Sequence, residues 1–144
     1  MRIALEIEHT LDLGALPRRI FLSRLWARVQ FHGPTGWTDY HMAIVDTGAP
    51  YSLIPASLWP TVRAERLKDI PVRGIVPGKG AELDASLAKV RIRLLDEKRI
   101  SPRLTLWAML TKTDQVPLIL GWSGCLDRAS LVLDAPHHRA WLEF

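Results

Sequence analysis

The run Ala43-Ile44-Val45-Asp46-Thr47-Gly48-Ala49-Pro50-Tyr51-Ser52-Leu53-Ile54-Pro55 decides how this chain folds. Met42 to Val45 is continuously apolar, as a strand buried on both faces would be. It runs straight into an acid. A carboxylate placed there leaves the strand at its end and emerges from an apolar floor. Thr47 is suited to fix the turn by a hydrogen bond. Gly48 permits a backbone geometry, and a close approach by another chain, that a Cβ would block. Ala49 keeps the wall of the turn thin, and Ser52-Leu53-Ile54 opens a second apolar run. Polar residues at the end of a buried strand are where a β-scaffold displays a site.

Outward from this stretch the apolar period is two rather than 3.6. Ile3, Leu5 and Ile7 alternate with Ala4, Glu6 and Glu8, and Leu25, Ala27, Val29 and Phe31 alternate with Trp26, Arg28, Gln30 and His32. Val90, Ile92 and Leu94 alternate with Lys89, Arg91 and Arg93, and the pattern returns at Leu104 to Leu110 and at Ala140 to Phe144. Such alternation means strands with one face inward. Val116-Pro117-Leu118-Ile119-Leu120 is a second continuously apolar run and ends on Gly121. His32 to Trp37 reads as a hairpin loop, and Gly74 to Gly80 as a second glycine-rich loop. Segments 56–68 and 122–129 each admit a short helix, although Pro60 interrupts the first. Residues 8–20, with Gly14 and Pro17, are expected to form a connecting loop behind the first strand. The expected architecture is mostly β: one small domain over residues 1–144, with one or two short helices and a strand-and-loop segment at residues 1–20.

With 144 residues the chain buries a core without needing disulfides or metals. A composition of 48% hydrophobic and 24% charged residues excludes a disordered tail. Cys125 is the single cysteine, so no intrachain disulfide forms and a reducing compartment is the default. It reads as a buried thiol, with a Cys–His hydrolase left open. Charges at Arg2, Glu6 and Glu8 break any apolar run at the start, and Leu106 to Leu110 is far too short to cross a bilayer. A cytoplasmic protein with no membrane partner is expected. The net charge of +4 invites an acidic partner. The basic residues are scattered along the sequence, however, and Lys89, Arg91 and Arg93 read as a solvated strand face, so no nucleic-acid partner is expected.

No ligand cluster stands out, and neither a metal nor a cofactor is expected. His137 and His138 are adjacent and would face opposite ways on a strand. Gly74 to Gly80 is one residue short of a phosphate-binding loop, with Gly80 where a magnesium-binding hydroxyl is required. Gly121-Trp122-Ser123-Gly124 has Cys125 where a nucleophile elbow needs its second glycine. Core packing is the default role of the six tryptophans, with Trp122 the candidate for lining a cleft or an interface.

Asp46-Thr47-Gly48-Ala49 resembles the active-site motif of retropepsin-like aspartic peptidases, the group that includes the retroviral proteases. Ala43-Ile44-Val45 matches the hydrophobic strand before that motif, and Ser52-Leu53-Ile54 the polar-then-apolar run after it. Leu118-Ile119-Leu120-Gly121 resembles the family's late hydrophobic-hydrophobic-glycine element, which packs against the active-site loop. Gly74 to Gly80 sits between them, where the family carries a hairpin flap. The resemblance covers roughly residues 25–144 and implies a single-lobe acid-protease β-barrel.

It also implies an activity. The chain has one Asp-Thr-Gly, whereas two-lobed pepsin-like members carry two. The resemblance therefore implies an endopeptidase active as a homodimer on peptide or protein substrates, with the Asp46 pair activating a water. Thr47 would brace the pair, and Gly48 would offer its backbone to an extended substrate. Ala49, Ile119 and the flap residues Val76, Gly78 and Gly80 would line the substrate. Pro50 stands where retroviral members often carry an acid, and Trp122 where they often carry a basic or polar residue. Pro77 and Lys79 occupy flap positions where glycines are common. In the retroviral enzymes the first two positions help brace the dimer and bind substrate backbone. A second reading therefore stands beside the first: a peptide-binding or assembly module that keeps the fold without turnover.

Overall fold

In the computed structural model, which describes residues 1–12, 20–72 and 83–144, the alternating segments are strands. They run in the order Arg2–Asp12 (β1), Ile20–Gly33 (β2), Gly36–Trp37 (β3), His41–Val45 (β4), Ser52–Ile54 (β5), Ala64–Val72 (β6), Leu83–Leu95 (β7), Leu104–Thr111 (β8), Ile119–Leu120 (β9), Ser130–Asp134 (β10) and Arg139–Glu143 (β11). The fold is mostly β, as the period of two requires.

Six strands close a barrel. β2 pairs antiparallel with β4, placing Trp26 opposite Ile44 and Ala27 opposite Ala43. β4 runs parallel to β9 (Ile44 opposite Ile119), which meets β5 at Leu53. β5 runs parallel to β8, β8 antiparallel to β7, and β7 returns to β2 with Val29 opposite Leu94. Closure removes free edges from this part of the sheet. The inward residues are those that the alternation selects: Val29, Phe31, Val90, Ile92, Leu94 and Leu106 are fully buried. β6 extends the barrel from β7. On the other side β1 leaves the barrel at β2 and pairs with β11, which pairs with β10.

Several local expectations are corrected. β1 continues through residues 8–12, so that stretch is strand rather than loop; its partner β2 offers a matching ladder from Glu6↔Trp26 to Asp12↔Ile20. The two places that admit a short helix carry single 3-10 turns, at Trp59–Thr61 and Leu126–Arg128. Pro60 sits in the first, and glycines and short connections leave the second no room to lengthen. The runs before Asp46 and Gly121 are not buried on both faces. Ala43, Val45, Leu118 and Leu120 are buried while Ile44 and Ile119 are half-buried, because one side faces the barrel core and the other faces outward beside Asp46. Core packing holds only for Trp59 among the tryptophans, and none of the six is fully buried. Trp26, Trp37, Trp59, Trp107 and Trp141 are half-buried, and Trp122 is 45% exposed. Four of them lie under a cation: Arg93 over Trp37, Arg66 over Trp59, Lys89 over Trp107 and Arg2 over Trp141. An indole lying flat on a barrel keeps its apolar face covered by such an alkyl-and-cation cap.

Candidate active site

Asp46 sits immediately after β4, on the turn that joins β4 to β5. The barrel holds it in place from both sides. The Ile44 and Asp46 N–H groups donate to the Leu118 and Leu120 carbonyls (2.9 and 3.0 Å), so the end of β4 is zipped onto β9. Beyond Asp46 the chain turns sharply. The Gly48 N–H donates to Asp46 Oδ1 at 2.8 Å, and the Ala49 N–H to the Asp46 carbonyl at 3.3 Å. A Cβ at Gly48 would stand 3.2 Å from Asp46 Oδ1, so the residue best suited to cradle this carboxylate is glycine. Asp46 itself is half-buried, while Thr47 and Gly48 are exposed beside it.

A second loop locks the first. Gly121 is buried, and a Cβ there would lie 2.5 Å from both the Ala49 and the Tyr51 carbonyl oxygens. No side chain fits between the two backbones. Its N–H donates to the buried hydroxyl of Ser52 at 3.1 Å. The next two amides continue the lacing, Trp122 N–H to the Ala49 carbonyl (2.9 Å) and Ser123 N–H to the Pro50 carbonyl (3.0 Å). The Trp122 indole N–H then reaches across to the Thr47 carbonyl. The Asp46 turn is therefore clamped at Thr47, Ala49 and Pro50 by neutral donors, and its carboxylate is left at the outer tip.

Of the residues singled out from sequence, the structure brings together Asp46, Thr47, Gly48 and Ala49 on the turn and Ile119 on the adjoining strand, opposite Ile44 and Leu53. Val76, Gly78 and Gly80 lie outside the described residues. Two contributions to the turn, from Ser52 and Trp122, are not legible in the sequence. Ser52 was noted only as the polar start of an apolar run, and its burial inside that run was the signal that it answers a backbone group. Trp122, expected to line a cleft or an interface, also donates its indole N–H to the Thr47 carbonyl.

Cys125 lies close behind this loop in sequence but is fully buried. Burial, reinforced by the Asp127 charge, pushes its thiol up to about 12. The thiolate that nucleophilic chemistry requires is thus suppressed, and the Cys–His alternative loses its nucleophile. His137 and His138 lie at a turn after β10 rather than on a strand. His137 is bonded to Asp134 (2.7 Å), and His138 to His9 (3.1 Å). Among the described residues no group of three or more His, Cys, Asp or Glu side chains converges as metal ligands would. Among the same residues no helix is long and apolar enough to cross a membrane.

Residues 23–126, more than two thirds of the chain, match the sequence profile of a family described as retroviral aspartyl protease. No curated protein matches the chain. Among solved structures, a retropepsin-like aspartic protease from Rickettsia conorii superposes with a TM-score of 0.51 at 10% identity, covering 96% of this chain and 92% of that one. The EIAV protease, solved in complex with the inhibitor HBY-793, is 18% identical with a TM-score of 0.44, covering 83% of this chain and 97% of that one. At these identities the likeness to the solved structures is one of fold.

Proposed function

Because the chain belongs to the retroviral aspartyl protease family, we propose that it is an aspartic endopeptidase that works as a homodimer, with Asp46 of each subunit forming the catalytic pair. The observation that supports this most directly is the Asp46 turn, which has the form of half a site. It carries one carboxylate, oriented by the Gly48 N–H, at the open end of a barrel strand and clamped from behind by Gly121 and Trp122.

The chemistry needs two such groups. One carboxylate takes a proton from a water while the other, protonated, gives its proton to the carbonyl oxygen of the peptide bond. The water oxygen adds to the carbonyl carbon. The C–N bond then breaks as the amine nitrogen receives a proton from the pair. Two carboxylates in contact do not both ionise, so they share one proton; aspartic proteases are the general example of this. A two-fold axis beside Asp46 supplies the second group without a second motif in the chain. In this reading Thr47 bonds across the axis, and the substrate lies as an added strand against Gly48 and Ala49 with Ile119 beneath it. Val76, Gly78 and Gly80 close over it.

The test is cleavage of a diverse peptide library by wild type and by Asp46→Asn, both measured at concentrations where the dimer is established. The expected result is cleavage by wild type and a loss of about a thousand-fold or more in the variant. Equal cleavage by the variant, or an active monomer, would sink the reading. Pro50 and Trp122 favour the second reading, a dimeric peptide-binding module without turnover; well-folded wild-type dimers that bind peptides and cut none would establish it.

A further inference from the structure

The period-two pattern that buries Val90, Ile92 and Leu94 turns Lys89, Arg91 and Arg93 outward on β7. Sheet pairing then gathers residues that are scattered in sequence. Thr105 and Trp107 of β8 lie opposite Arg91 and Lys89, Gln30 of β2 lies opposite Arg93, and Glu65 of β6 lies opposite Lys89. Arg63, whose N–H donates to the His32 carbonyl (2.9 Å), joins them at the start of β6. Two clefts meet at Thr105. One, of about 490 Å³, is lined by His32, Arg63, Glu65, Lys89 and Arg91. The other, of about 580 Å³, is lined by Arg103, Trp107, Ser123, Gly124, Asp127 and Arg128. With Arg93, this face carries six cations against Glu65 and Asp127, a surplus equal to the whole net charge of +4. Among the described residues none of the six is within ion-pair distance of a carboxylate.

We propose that this face of β7 and β8 is a docking site for an acidic, extended segment of the polypeptide that the protein acts on, away from the bond to be cut. The proposal rests on the peptidase reading for the identity of the partner, though the recognition itself does not. Alternate residues of a strand repeat about every 6.6–6.8 Å. The row Lys89, Arg91, Arg93 therefore has the same spacing as alternate side chains of another extended chain. Like charges in a row hold a positive potential that partner carboxylates relieve.

The aromatic groups argue against a nucleic acid here. Single strands are held by bases stacked on open rings, but Trp107 is already covered by Lys89 (5.1 Å) and Trp37 by Arg93 (4.5 Å). A membrane is disfavoured too, since none of the exposed large apolar residues lines either cleft. The face is also continuous with the candidate site. Ser123, in the second cleft, donates to the Pro50 carbonyl and accepts from the Trp107 N–H (3.1 Å).

The experiment measures binding of a fluorescein-labelled peptide of alternating Glu and Ser residues to the Asp46→Asn protein, so that cleavage does not consume the probe. The same titration is run with Arg63→Glu/Arg91→Glu added, and with Arg63→Gln/Arg91→Gln added in case charge reversal harms folding. The expected result is salt-sensitive binding that weakens about ten-fold or more on charge reversal, with an intermediate loss for the Gln pair. Affinity that is absent, or indifferent to both substitutions in proteins of native circular dichroism, overturns the proposal. So does tighter binding of a single-stranded oligothymidylate, which would make this a nucleic-acid surface. A parallel assay compares wild-type cleavage of one peptide with and without an appended acidic tract, with a higher kcat/KM expected for the tagged form. Peptide binding with no cleavage of either form would defeat the peptidase reading and leave the docking face standing. Equal cleavage of both forms would do the reverse.

Discussion

The turn that carries Asp46 and the sheet that joins the two ends of the chain are both outside the barrel core, yet different forces hold them. Behind the Asp46 turn the contacts run through neutral groups, with glycine-sized clearances at Gly121 and donors from Gly121, Trp122 and Ser123 to the Ser52 hydroxyl and to backbone carbonyls. In the terminal sheet the ladders of β1, β10 and β11 are fastened at their margins by ionisable side chains. Arg2 pairs with Glu143 (3.4 Å), Arg139 with Asp134 (2.6 Å), and Arg28 with Glu6 (2.7 Å). Asp96 ties the turn after β7 to β1 through the Ala4 N–H at 3.0 Å. Neutral bonds of the first kind do not change with protonation, whereas pairs of the second kind do. The difference teaches where pH acts on this molecule: the clamp behind the Asp46 turn contains no ionisable group, whereas the fastenings of the terminal sheet do.

The largest blow to this contrast is Gly121→Ala. The added methyl meets two carbonyl oxygens at 2.5 Å, and both belong to backbone that cannot swing aside. A loss of about 3 kcal/mol is expected, read as a drop in the denaturant midpoint. An unchanged midpoint would mean that the two loops are not interlocked. Trp122→Phe keeps the ring and removes only the donor to the Thr47 carbonyl. The expected cost is about 1 kcal/mol, with faster amide exchange in the Asp46 turn and little change at β10 and β11.

Asp96 sharpens the other side of the comparison. Burial alone would raise its pKa, but the N–H groups of Ala4, Lys98 and Arg99 and the Arg99 charge bring it below 3.8. A group whose folded value is depressed contributes stability that is fully present above the unfolded value and is lost as pH falls through the folded one. Wild type is therefore expected to exceed Asp96→Asn in stability at neutral pH, with the gap closing as pH falls below 3.8. A gap of constant size across an acid titration would refute the assignment. The smallest effect is expected at Cys125. With its thiol pushed up to about 12, alkylation by iodoacetamide at neutral pH should be negligible in the native protein and appear only on unfolding.

Much of this was legible along the chain. The alternation at Leu25 to Phe31 and at Lys89 to Leu94 selected the inward faces correctly, because a strand buried on one side must repeat every two residues. Met42 to Asp46 and Leu118 to Gly121 were each readable as a short apolar run ending abruptly in a polar or glycine residue, and the family resemblance implied that they pack together. Trp59 aside, the tryptophans misled, because an indole large enough to fill a core is equally able to lie under a guanidinium, and composition does not distinguish the two. The outward turn of Lys89, Arg91 and Arg93 was legible from the alternation, but the full basic face was not. Arg63, Lys89, Arg103 and Arg128 are far apart in sequence and become neighbours only across strand pairings.

The sequence by itself determined the strand class, the inward residues, and the turn at which a carboxylate leaves the barrel. These are local matters, settled by side-chain period and by what a glycine allows. The closure of six strands, the lock of Gly121 behind Ala49 and Tyr51, and the gathering of cations on β7 and β8 were decided only by tertiary structure. Each depends on which distant strands pair and in which register. That choice is made by the burial of the whole core rather than by any one segment.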